Sequence, residues 1–208
     1  IKSLVDGIEK NLLFPPLSAN DSLNAQEKAK INIVFTQNEI EKGNEILKKF
    51  GIDIKKKIVG IILRDNEYLK KNYPKIDWSY HKIRYSDFSY YSDCAEKLAS
   101  LGYQVIVFGE KKKIFKNKNI INYSNSVMKS EFMDIFLPSK LDFAISSATG
   151  LDAIPIIFKV PLIEVSVAPL ILIRPYTSKI KILFKTYYSK TRSEEHTSEL
   201  QSPMYLVC

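Results

Sequence analysis

The chain has 208 residues, 45% of them hydrophobic and 12% aromatic, which is enough for one packed core with some excess and too little for two full domains of ordinary size. Its 31 Lys and Arg against 23 Asp and Glu give a formal charge of +8, a balance that admits nucleic acid, an anionic membrane surface, an anionic small ligand, or simply a coat of solvated lysines. With Cys208 in a C-terminal tail of separate origin, Cys94 stands alone, which excludes a disulfide framework or a thiolate metal site and fits a reducing cytoplasm.

In chain order, residues 1–34 read as a linker or the remnant of a preceding domain. An apolar start is followed by Pro15, Pro16 and a polar run with little periodicity. Thr36 is a helix N-cap candidate for residues 36–50, with Ile40, Ile46, Leu47 and Phe50 at helical spacing and Gly51 as the stop. From residue 58 the pattern changes to short continuous apolar runs, 58–63, 103–108, 119–121, 141–145 and 161–165, the signature of strands buried on both faces. Between them lie helical patterns at 86–101, ended by Gly102, at 129–139 and at 150–158, where Pro155 has to be accommodated or cause a kink. Strands alternating with helices predict right-handed βαβ units and an α/β fold built on a parallel sheet. The most apolar stretch, 151–173, is broken by Lys159, Glu164 and three prolines, so it reads as core and not as a bilayer span. A further helix, cut short, is expected after Leu170. Residues 192–208 open with Arg-Ser-Glu-Glu-His-Thr-Ser-Glu-Leu-Gln-Ser, the translation of a common short-read sequencing adapter, and are set aside as non-native. Without that tail 30 basic residues stand against 20 acidic ones, a balance of +10, in a chain that is expected to be cut at both ends.

Ligands of open parallel sheets sit beyond the carboxyl ends of the strands, so the residues that follow each strand carry the functional signal. The first strand ends in Arg64-Asp65. A guanidinium fork there suits a phosphate, with Asp65 orienting it; an ordinary surface ion pair is the competing reading. The run Ser146-Ser147-Ala148-Thr149-Gly150 joins a strand to a helix start, where free N–H groups and the helix dipole suit a pyrophosphate, although Ser and Thr are also ordinary N-caps. Gly109 after the second strand allows a close backbone approach to a base or ribose. His81, Arg84 and Asp87 share the loop between the first strand and its helix, where Arg84 could neutralise a second phosphate. A lone loop histidine such as His81 is more often just exposed. Neither GxGxxG, a P-loop, GxSxG, HExxH nor an Asp-x-Asp motif is present, which leaves dehydrogenase, P-loop NTPase and hydrolase chemistry unsupported.

Taken together, Arg64-Asp65, the His81-x-x-Arg84-x-x-Asp87 loop, Gly102-Tyr103, Met133-Asp134-Ile135-Phe136, the Ser146-Ser147 turn leading to Gly150-Leu151, and Val160-Pro161 carry a resemblance. The segment from about Phe35 to Leu170 resembles an uncharacterised bacterial family assigned to surface-polysaccharide glycosyl transfer with the GT-B fold. More distantly, Arg64 is similar to the phosphate-binding Arg of fucosyltransferase-like enzymes, and the 146–150 turn to the donor-phosphate loop of heptosyltransferases. Ile61 stands where the family usually has His, and Tyr85 where Asn is commoner, departures that bear on the donor more than on the fold.

The resemblance implies that residues 35–191 form the Rossmann-like C-terminal half of a GT-B glycosyltransferase. That half would bind a nucleoside-diphosphate sugar for transfer to a glycan or cell-surface polysaccharide. Arg64 and Arg84 would neutralise the diphosphate leaving group, while Ser146, Ser147, Thr149 and the amides near Gly150 hold it. Asp65, His81, Asp87, Gly109, Glu131 and Asp134 would line the donor. No metal or other cofactor is expected, the acceptor site and catalytic base would lie on a separate N-terminal domain, and the whole enzyme would work in the cytoplasm or at the inner face of the membrane. The rival reading is a basic nucleic-acid-binding α/β module, motivated by the charge and by Tyr68, Tyr73, Trp78, Tyr80 and Tyr85 interleaved with lysines.

Overall fold

The computed structural model describes residues 25–31, 33–64, 73–78, 88–109, 115–167 and 178–184. In order they form α1 (Ala25–Lys28), α2 (Gln37–Lys49), β1 (Ile58–Ile62), α3 (Phe88–Ser100), β2 (Gln104–Phe108), β3 (Ile120–Asn122), α4 (Glu131–Phe136), β4 (Phe143–Ser146), α5 (Ala153–Ile157), β5 (Leu162–Val167) and β6 (Ile180–Phe184). Short 3-10 turns occupy Tyr123–Asn125, Pro138–Lys140 and Gly150–Asp152. The strands make one six-stranded sheet in the order β3-β2-β1-β4-β5-β6, with every neighbouring pair parallel. This is a Rossmann-like α/β arrangement whose strand order reverses between β1 and β4, which places a crevice at their carboxyl ends.

The continuous apolar runs become strands because both faces of the sheet are covered. Ile58, Ile62, Ile106, Phe108 and Leu162 pack against Leu47 of α2 and Met133 and Phe136 of α4. On the other face Ile61, Val105 and Val107 meet Tyr91, Ala95 and Ala99 of α3. Burying each such aliphatic side chain contributes roughly 1.5–3 kcal/mol. A Cβ on Gly43 would lie 2.2 Å from the Phe136 ring, so α2 sits on that aromatic with no room to spare. Phe35 enters the same face, with its ring centroid 5.0 Å from that of Phe136 and 5.6 Å from that of Phe158.

The local signals act through identifiable groups. Thr36 caps α2 in a reciprocal capping box: its hydroxyl accepts the Glu39 N–H while the Glu39 carboxylate accepts the Thr36 N–H at 2.7 Å. Gly51 follows the helix at φ +77°, a conformation in which a Cβ is costly. The helix expected over 129–139 is divided, because Pro138 has no N–H with which to continue it, and a 3-10 turn follows α4. The proline in 150–158 is accommodated without a kink. The segment opens as a 3-10 turn and becomes α-helical at Ala153, so Pro155 falls in the first α-turn, where its missing donor costs nothing.

Two segments add to what was expected. The closing helix expected after Leu170 falls outside the described residues, while residues 178–184 hold the strand β6, which extends the sheet beyond β5. Its Ile180-Lys181-Ile182-Leu183-Phe184 alternates half-buried and exposed residues, the pattern of an edge strand covered on one face. The stretch before α2 contributes α1, and the Glu27 carboxylate there accepts the Ser178 N–H and hydroxyl, both at 3.0 Å, beside the start of β6. Among the described residues no helix is long and apolar enough to cross a membrane.

Candidate functional site

The carboxyl ends of β1 and β4 are tied together by side chains where the strand ladder stops. The Arg64 N–H donates to the Ser147 hydroxyl at 2.9 Å, and the Ser147 N–H donates to the Ile62 carbonyl at 3.0 Å. The Arg64 guanidinium crosses the gap and donates through Nη2 to the Ala148 carbonyl at 2.8 Å. Ala148 has φ +55°, a left-handed conformation that costs an L-residue roughly 1–2 kcal/mol, so the charge-assisted bond from Arg64 helps to hold a strained turn. Strain of this kind at a strand end is a reason to look for a ligand there.

Beneath the turn lies Asp152, with only 3% of its surface exposed. One carboxylate oxygen accepts the Ser146 hydroxyl at 2.6 Å and the other accepts the Thr149 N–H at 2.7 Å. The Thr149 hydroxyl in turn accepts the Leu151 N–H at 3.2 Å, completing a second capping box. Burial raises the Asp152 carboxyl to about 6; the hydrogen bonds from Ser146 and Thr149 and the charge of Arg64 oppose that rise without cancelling it. Sequence reasoning missed Asp152. The signal was present as Thr149-Gly150-Leu151-Asp152, a hydroxyl residue followed at the third position by an acid.

Ser146 and Ser147, expected to donate to a phosphate, are buried, and their hydroxyls serve Asp152 and Arg64. They shape the turn from below. Gly150 is exposed at its outer edge, next to the Arg64–Ala148 bridge. Gly109 also belongs to this end of the sheet. At φ +90°, a Cβ on it would lie 1.9 Å from the Leu63 carbonyl oxygen, and its N–H donates to the Ser124 hydroxyl at 2.7 Å. The glycine is therefore required by the close approach of β2 to β1, whatever else it does.

Glu131 and Asp134 occupy the first turn of α4, capped by the Ser130 hydroxyl. Asp134 is engaged locally. It accepts the Tyr123 hydroxyl at 2.6 Å and pairs with Lys129 at 2.9 Å, and burial together with that carboxylate pushes the Tyr123 phenol well above its usual range. Glu131 is exposed. Asp65, His81, Arg84 and Asp87 lie outside the described residues, as do the lysines at 111–113. Cys94 on α3 is half-buried, and burial raises its thiol pKa. A groove of about 750 Å³ lies at the opposite end of the sheet, between α2 and residues 51–55, lined by acids such as Glu45 and Asp53 as well as by Lys48 and Lys55.

The arrangement can offer a guanidinium and an exposed Gly150 backbone to an anion at the reversal of strand order, with a buried carboxylate holding the turn rigid. Compared with known families, with curated proteins and with solved structures, the chain has no match.

Proposed function

We propose that this chain is the donor-binding half of a GT-B-type glycosyltransferase, which takes a nucleoside-diphosphate sugar and transfers the sugar to a glycan or cell-surface polysaccharide. The observation that carries the reading is the position of Arg64: at the end of β1, bridged to the turn after β4, where the strand order reverses. When the glycosidic bond of the donor breaks, negative charge grows on the leaving diphosphate. A guanidinium fixed in place before the reaction stabilises that charge without reorganising. The backbone N–H of the exposed Gly150 would add to it, and Ser146, Ser147, Thr149 and Asp152 would act by fixing the turn that presents it. Arg84, with Asp65, His81 and Asp87, would complete the phosphate and ribose contacts, while Glu131 and Asp134 lie on the flank. The acceptor would be held by a separate domain, in the cytoplasm or at the inner membrane face.

A thermal-shift screen of the full chain against UDP, GDP, ADP, CDP and CMP tests this reading, because a ligand that binds only the native state raises the melting temperature. A selective rise with one diphosphate, lost in Arg64→Ala, is the expected result. Cooperative melting that ignores every nucleotide would count decisively against a donor site.

A further inference from the structure

Exposed lysines collect at the end of the sheet away from Arg64. Lys55, Lys56 and Lys57 stand ahead of β1, Lys116 and Lys118 ahead of β3, and Lys97 in the last turn of α3; all are exposed, and none has an ion-pair partner among the described residues. Acids share this end, Asp53, Asp142 and Glu96 on the face and Glu41 and Glu45 on the adjoining groove that Ile54 and Lys55 also line, but with Lys48 and Lys49 in the last turn of α2 the eight lysines outnumber these five acids. Asp53 accepts the Lys55 N–H at 3.0 Å, Asp142 accepts the Ile58 N–H at 2.8 Å, and Glu96 takes the Asn117 amide at 3.3 Å. Two aliphatic side chains project among these lysines: Ile54, 52% exposed ahead of β1, and Leu101, 63% exposed ahead of β2. They belong to one surface, because the Gln104 side chain stitches the two loops together, accepting the Asp53 N–H at 2.8 Å and donating to the Gly51 carbonyl at 3.0 Å.

We propose that this amino-end face docks on an anionic phospholipid surface, with its lysines over the headgroups and Ile54 and Leu101 entering the headgroup boundary. Lysine clusters are drawn to anionic leaflets, and exposed aliphatic side chains among them add apolar burial that a purely electrostatic contact lacks. Nucleic acid fits this face less well. Stacking on bases needs exposed aromatic rings, and here Phe50, Tyr103 and Phe115 are half-buried, with Tyr103 packed edge-on against Phe143 at 6.0 Å. Docking through this end would leave the Arg64 end facing away from the membrane. The proposal does not depend on what binds at Arg64.

Co-sedimentation of the full chain with phosphatidylglycerol-rich vesicles, against vesicles of phosphatidylcholine alone, tests it. Binding is expected to the anionic vesicles alone and to weaken with salt. Replacing Lys55, Lys56 and Lys57 by Gln should reduce it about fivefold per lysine, roughly a hundredfold for the triple, while Lys42, Lys75 and Lys181→Gln, away from this face, should change it little. The pair Ile54→Ser and Leu101→Ser should weaken binding at salt concentrations where the charge contribution is already screened. Each variant's melting curve establishes that it is folded. Absence of binding to anionic vesicles, equal losses in the two lysine triples, or no effect of the Ile54 and Leu101 changes would overturn the proposal. So would tighter binding of a single-stranded oligonucleotide that depends on the same three lysines.

Discussion

At the carboxyl ends of β1 and β4 the polar side chains are buried in a network of side-chain and backbone bonds, whereas at the amino ends of the same strands they are exposed and bonded to backbone alone. Ser146, Ser147 and Asp152 belong to the first kind, Asp53 and Asp142 to the second. A buried polar network is a high-stakes device, since each member that loses its partner carries a full desolvation cost. An exposed acid that caps a backbone N–H risks little. The contrast teaches that one end of this sheet is built for fixed geometry and the other for surface charge.

The largest effect that would break this comparison comes from Gly109→Val. Its branched side chain would meet the Leu63 carbonyl in a backbone conformation that β-branched residues avoid, so a loss of at least about 4 kcal/mol or failure to fold is expected in denaturant titration. A variant as stable as the parent would show that the β1 and β2 ends do not approach as described.

Next is the pH dependence set by Asp152. Its folded carboxyl, raised to about 6, lies above the ordinary value of 3.8, so the folded state binds the proton more tightly than the unfolded chain. Its contribution therefore rises as pH falls from about 6 to about 4 and is lost again as pH climbs through that window, by up to about 3 kcal/mol. Asp152→Asn, which keeps an acceptor for the Thr149 N–H, should remove this component. The difference between the two stability profiles over that range measures it, and parallel profiles would contradict the burial of a titrating acid.

Arg64→Met removes the bond to the Ala148 carbonyl while keeping much of the apolar stem, and should cost about 1–3 kcal/mol by thermal melting. At the amino end, Asp142→Ala should cost only about 1 kcal/mol through the lost cap on the Ile58 N–H. Substitutions of Lys55, Lys56 and Lys57 should change stability by less than about 0.5 kcal/mol. If these amino-end changes proved as damaging as the Arg64 variant, the two ends would not differ in the way described.

The central strands were legible because burial on both faces leaves uninterrupted runs such as Ile58-Val59-Gly60-Ile61-Ile62. β6 was not, because an edge strand covered on one face has a short alternating pattern that a five-residue window barely distinguishes from loop. At the site, strand ends and hydroxyl-rich turns pointed to Arg64 and residues 146–150. The direction in which the serine hydroxyls point was not legible, since that of Ser146 is set by Asp152 on the following turn and that of Ser147 by the Arg64 N–H at the end of β1. The partners of Asp134 were not legible for a similar reason: Tyr123 and Lys129 reach it only once the chain between β3 and α4 has folded back.

The most direct measurement is a titration of the full chain with UDP, GDP, ADP and CDP in turn, followed by the backbone amide resonances. One diphosphate is expected to shift Arg64, Ala148 and Gly150 at the carboxyl ends and to leave Lys55, Lys56 and Lys57 unmoved. Shifts confined to those lysines, or none with any diphosphate, would contradict it.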